Sequence, residues 1–105
     1  MPNKKIFELQ AEACKALAHP LRLEIIHLLK DRELGFSELL ERTGALKSGL
    51  SQHLSIMVER GILTVRKDSR SSFYTLSSPK VGKACGIMRE VMADHVERQR
   101  KILMS

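Results

Sequence analysis

The sequence predicts a mainly α-helical domain with one small β-hairpin, ordered helix, helix, helix, helix, strand, strand, helix, which is a winged helix-turn-helix. Three observations carry this expectation. Apolar residues recur at spacings of three and four up to about residue 60 and again over 79–103, while 62–76 alternates instead. The fourth helix carries a stripe of small hydrogen-bonding side chains opposite its apolar face. Basic residues gather around that helix and the hairpin. The 105 residues fit one domain, residues 1–105, with the helix-turn-helix at about 37–60, the wing at about 62–76 and a last helix at about 79–103.

Over residues 4–18, Ile6, Phe7, Leu9, Ala13, Cys14 and Leu17 mark an amphipathic helix. His19-Pro20 interrupts it, since a residue before proline avoids the α region and proline suits a new helix start. Leu21, Ile25, Leu28 and Leu29 line a second helix ending near Lys30, and Asp31 to Gly35 reads as a short polar connection. Ser37 is the expected N-cap of a short third helix through Arg42, closed by Gly44 in a left-handed conformation. A fourth helix covers about 46–60 and stops at Gly61. Ile62–Arg66 and Ser72–Leu76 read as strands joined by a polar turn, Lys67 to Ser71. Ser78-Pro79 then opens a long final helix with Val81, Ala84, Cys85, Met88, Val91, Met92, Val96, Ile102 and Leu103 on its apolar side.

At about 100° per residue, Leu46, Leu54 and Met57 fall within about 40° of Leu50 and are expected to face the core. Ser48, Ser51, Gln52 and Ser55 fall opposite. Short donors and acceptors let a helix sit deep in the major groove, where glutamine can pair bidentately with adenine. Lys47, Arg66, Lys67 and Arg70 are positioned to neutralise phosphates. Residues 45–72 hold five basic side chains (Lys47, Arg60, Arg66, Lys67, Arg70) against Glu59 and Asp68, whereas residues 31–44 are net acidic.

Composition narrows the partner. With 18 Lys+Arg against 12 Asp+Glu the net charge is +6, which favours a polyanion. Only Phe7, Phe36, Phe73 and Tyr74 are aromatic, so single-stranded nucleic acid, which needs stacking platforms, is disfavoured against duplex DNA. Apolar runs of three or four residues are far short of the about 20 that a membrane span needs, so a cytoplasmic protein without membrane contact is expected. There is no nucleophile elbow, phosphate loop or paired carboxylates in an apolar setting, and no cofactor or enzymatic activity is expected.

Ala16 to Arg22 (ALAHPLR), Ser48 to Leu54 (SGLSQHL) and Lys67 to Leu76 (KDSRSSFYTL) resemble the matching stretches of ArsR/SmtB transcriptional repressors over roughly residues 10–80. The resemblance implies a homodimeric winged-helix repressor that binds an imperfect palindrome and releases it on sensing an inducer. It carries Lys47, Ser48, Ser51, Gln52 and His53 over as recognition-helix contacts and Arg70 as a wing contact. It also implies a dimer interface made by the first and last helices, here Phe7, Cys14, Cys85, Met88, Met92 and Val96. Leu46 departs from the serine N-cap of many members, and Ser69 from their wing glycine.

Neither metal site of the family is matched. Gly35-Phe36-Ser37 holds no thiol where soft-metal sensors carry a Cys-x-Cys pair. Asp94 and His95 are adjacent, about 100° apart on the last helix, and make a poor ligand pair. No metal is expected. Cys14 and Cys85, the only cysteines, are brought near each other by the implied interface. They read either as a redox- or metalloid-sensing pair or as small apolar packing residues. Dithiol sensors of the family place one thiol in the second helix, where this chain has His27. Among the histidines, His19 is expected to cap a turn, His27 to lie in the core, and His53 to be structural or to contact phosphate. A winged helix serving only as a protein-interaction module is the alternative, and it leaves the basic wing unexplained.

Overall fold

The computed structural model describes residues 3–105. It contains α1 (Lys4–Leu17), α2 (Pro20–Leu28), β1 (Leu34–Gly35), α3 (Phe36–Thr43), α4 (Lys47–Glu59), β2 (Leu63–Asp68), β3 (Ser71–Leu76) and α5 (Pro79–Met104). Local chemistry sets most of these boundaries. The Asn3 side chain accepts the Lys5 N–H at 3.0 Å and starts α1. His19 caps α2, its Nδ1 accepting the Leu21 N–H at 3.1 Å, with Pro20 in the first turn. Gly44 closes α3 at φ +66°, a conformation that costs a residue without Cβ nothing. Ser78 and Pro79 open α5 as expected.

The core is one apolar cluster. Ile25 and Ile26 of α2, its C-cap Leu29, Leu39 of α3, and Leu50, Leu54 and Met57 of α4 are fully or almost fully buried, closed over by Leu34, Ile62 and Leu63. α5 rests chiefly on α2, and on β3, and its buried or half-buried residues end at Gly86. Within it, Gly82 lets the helix approach closely, since a Cβ there would lie 3.0 Å from Leu76 Cδ1. From Ile87 onward every residue of α5 is exposed. A helix of 26 residues runs about 39 Å, well beyond what this body covers.

Four expectations need correcting. The stretch Asp31–Gly35 is not only a connection. Leu34 and Gly35 form β1, which pairs antiparallel with Tyr74 and Phe73 and makes a three-stranded sheet of order β1-β3-β2. Two residues cannot display an alternation, so this strand exists only because β3 offers it a free edge. The N-cap of α3 is Gly35 rather than Ser37, which lies exposed inside the first turn; the Glu38 carboxylate accepts the Gly35 N–H at 3.3 Å. The wing strands run further than expected, to Asp68 and from Ser71, leaving Ser69 and Arg70 as the whole connection. Ser69 takes φ +57°, the conformation for which glycine is the easier residue. His27 is exposed, not in the core.

Candidate nucleic-acid interface

α4 has two opposed faces. Leu50, Leu54 and Met57 are completely buried, while Ser48, Ser51, Gln52 and Ser55 are exposed, as is Lys47 in the first turn. The expected polar stripe is therefore present and accessible. Leu46 departs from the helical projection. It is the N-cap, its backbone is extended (φ −69°, ψ 141°), and the 100° step that would point it inward does not apply; its side chain is 81% exposed. No side chain among the described residues caps this end of the helix.

His53 stands between the two faces and is tied inward. Its Nδ1 accepts from Arg22 Nε at 3.0 Å, and Arg22 Nη1 donates to the Ala16 carbonyl at 2.8 Å. The rings of His53 and His19 lie 4.2 Å apart. Arg22 thus joins the end of α1, the start of α2 and the middle of α4. Burial, with the neighbouring His19 and Arg22 charges, pushes the His53 pKa below the usual imidazole value. A neutral imidazole accepting from a guanidinium suits a fixed joint better than a phosphate contact.

Arg66 is also engaged. Its guanidinium meets the Glu33 carboxylate at 2.8 and 3.2 Å and lies over the Phe73 ring at 4.7 Å. From β2 it reaches across β3 to the residue preceding β1, stapling the three strands. The hydrogen bonds from Arg66 hold the Glu33 carboxyl below its ordinary pKa, and Glu33 in turn raises that of Arg66. Among the described residues Lys47, Lys67 and Arg70 have no carboxylate within 4.0 Å, so these are the uncompensated cations beside the polar stripe. Sequence reasoning missed Glu33, Arg22 and His19 as partners because each contact spans elements remote in the chain or depends on a sheet edge that periodicity does not reveal.

The remaining candidates lie on α1 and α5. Cys14 is exposed and Cys85 half-buried. Burial raises the Cys85 thiol above its usual pKa, and the nearby Cys14 adds to the rise while Arg89 opposes it. Cys14 lies on α1 and Cys85 on α5, close enough for the Cys14 charge to bear on Cys85. Phe7, Met88, Met92 and Val96 are all more than half exposed, at 57%, 60%, 51% and 65%. No group of three or more metal-ligating side chains gathers among the described residues, and no helix among them is long and apolar enough to cross a membrane.

A buried-backed polar helix entered by a tight turn from a shorter one, followed by a hairpin with a basic tip, defines a winged helix-turn-helix DNA-binding regulator. Residues 19–65 match the family described as "Bacterial regulatory protein, arsR family". The HTH-type transcriptional regulator Rv0081 of Mycobacterium tuberculosis is 33% identical over 94 residues, covering 89% of this chain and 82% of that protein. Its crystal structure superposes with a TM-score of 0.77 at 32% identity, covering 90% and 95% of the two chains. HlyU of Vibrio cholerae matches with a TM-score of 0.77 at 34% identity, covering 85% and 97%. The transcriptional repressor BigR of Xylella fastidiosa matches at 0.73 and 26%, covering 87% and 96%. This chain belongs to the ArsR family of bacterial transcriptional regulators.

Proposed function

We propose that the chain, as one winged-helix unit, represses transcription as a homodimer that reads an imperfect palindrome of duplex DNA. The observation that carries this reading is the exposed stripe Ser48-Ser51-Gln52-Ser55 on a helix whose other face is fully buried, beside the unpaired Lys47, Lys67 and Arg70. Ser48, Ser51, Gln52 and Ser55 meet base edges; Lys47, Lys67 and Arg70 meet phosphates. Arg66 and His53 act differently from the others. Their partners Glu33 and Arg22 support a role in holding the wing and the recognition helix in place. The exposed apolar faces of α1 and α5 support a two-fold partner covering Phe7, Met88, Met92 and Val96, which sets two recognition helices on successive major grooves about one turn apart. BigR, named a repressor, supports repression as the sign of control; HlyU is named an activator.

Binding to the DNA upstream of the chain's own gene, followed against salt, tests this reading. Specific binding that weakens steeply with salt and loses sequence preference in Gln52→Ala supports it. Salt-insensitive or absent DNA binding favours a protein-interaction module. Release by thiol chemistry is supported by the exposed Cys14, whose charge bears on Cys85, and opposed by the raised Cys85 pKa, which disfavours its thiolate. Loss of DNA binding on oxidation that disappears in both Cys14→Ser and Cys85→Ser would establish the pair as the sensor. Unchanged binding in every state would leave the cysteines as packing residues of the dimer face.

A further inference from the structure

Large apolar side chains exposed among the described residues lie on α1, α2 and α5, with one exception: Leu46, at the entrance to α4. Among the described large apolar side chains its exposure of 81% is exceeded only by Leu103 near the end of α5. The residue is costly there on two counts. A leucine in water forgoes burial, and leucine is among the poorest N-caps, leaving the first N–H groups of α4 without a side-chain acceptor. Nothing among the described residues offsets either cost. In helix-turn-helix proteins the N-terminal residues of the recognition helix meet base edges, and Leu46 directly precedes Lys47 and Ser48. The major groove offers an isobutyl group one apolar feature, the C5-methyl of thymine.

We propose that Leu46 is a specificity-determining residue that packs against a thymine methyl in each half-site of the DNA. This rests on the groove-facing orientation of α4 proposed above. It adds a contact of a different chemical kind, because the serine and glutamine stripe reads hydrogen-bonding edges whereas Leu46 reads only a methyl group. A cytosine or a purine at that position presents no methyl to cover, so thymine is preferred there even though no hydrogen bond is made.

The probe is the tightest duplex that the full-length protein selects from a random pool, with each thymine of a half-site replaced in turn by deoxyuridine, which removes the methyl alone. Wild type, Leu46→Ala, Leu46→Ser and Gln52→Ala are compared by equilibrium binding, with a melting curve for each. One replacement should weaken wild-type binding about four-fold per half-site, the transfer value of one buried carbon group. Leu46→Ala and Leu46→Ser should be insensitive to that same replacement. Leu46→Ser should also melt at or above the wild-type temperature while binding more weakly, because it gains a cap and loses the methyl contact. Such opposite signs are not expected of a structural residue. Wild-type insensitivity to every replacement, or a sensitivity that persists in both Leu46 variants, overturns the proposal. If Gln52→Ala loses sequence preference in those same experiments, the orientation of α4 stands and Leu46 alone is refuted; if the protein selects no sequence, both fall.

Discussion

Replacing Arg22 with alanine severs the joint that connects α1, α2 and α4. Two hydrogen bonds from a guanidinium are lost, one to the Ala16 carbonyl at 2.8 Å and one to His53 Nδ1 at 3.0 Å. Bonds to charged groups are worth about 1.5–3 kcal/mol each. Both sites are only partly buried, so water replaces part of the loss and the lower end applies, giving about 3 kcal/mol for the pair. For a domain of this size that corresponds to a fall in Tm of roughly 12–24 °C. Arg66→Ala is the control. It removes a bidentate ion pair with Glu33, but the Arg66 side chain is 54% exposed, and such pairs contribute about 0.2–1 kcal/mol. Urea unfolding followed by circular dichroism at matched protomer concentration measures both, since a dimer's stability depends on concentration. If Arg22→Ala is no less stable than Arg66→Ala, the joint is not a structural tie and the argument for His53 as an inward-facing residue fails with it.

Further outcomes follow from the same geometry. Because the His53 pKa is lower folded than unfolded, only the unfolded chain takes up that proton as the pH drops below about 6.5. Stability should therefore be fully present above that value and decline toward the folded pKa, and His53→Asn should flatten this slope in denaturation curves taken from pH 5 to 8. Arg70→Ala should lower the salt dependence of DNA binding by about one counterion and weaken all sequences alike, whereas Arg66→Ala should leave that slope close to the wild-type value. Gly49 lies in α4 with nothing within 4 Å of an added Cβ, so Gly49→Ala should stabilise the free protein by about 0.5–1 kcal/mol in the same urea assay.

Much of this protein is determined by local chemistry, which a sequence displays directly. The helical spacing of Leu50, Leu54 and Met57 sets the buried face of α4, and the complementary stripe of Ser48, Ser51, Gln52 and Ser55 follows from the same period. Gly44, His19-Pro20 and Ser78-Pro79 end and begin helices through their own backbone preferences and side-chain caps. Even the family resemblance rests on residues contiguous in the chain. What periodicity could not decide is where the pattern meets a boundary or a partner from elsewhere. Leu46 projects inward on an ideal helix, yet it is a cap with extended backbone, and one residue's ψ angle moves it into solvent. Leu34 and Gly35 become a strand only because β3 has an open edge beside them. Arg66 and His53 carry the residue types expected at a DNA surface, yet each has a partner more than thirty positions away: Glu33 pairs with the Arg66 guanidinium, and Arg22 donates to His53 Nδ1. Charge and hydrogen-bonding capacity are properties of a side chain and can be read from its name. Whether that capacity is still free to meet a ligand depends on which side chains lie beside it, and the tertiary structure alone decides that.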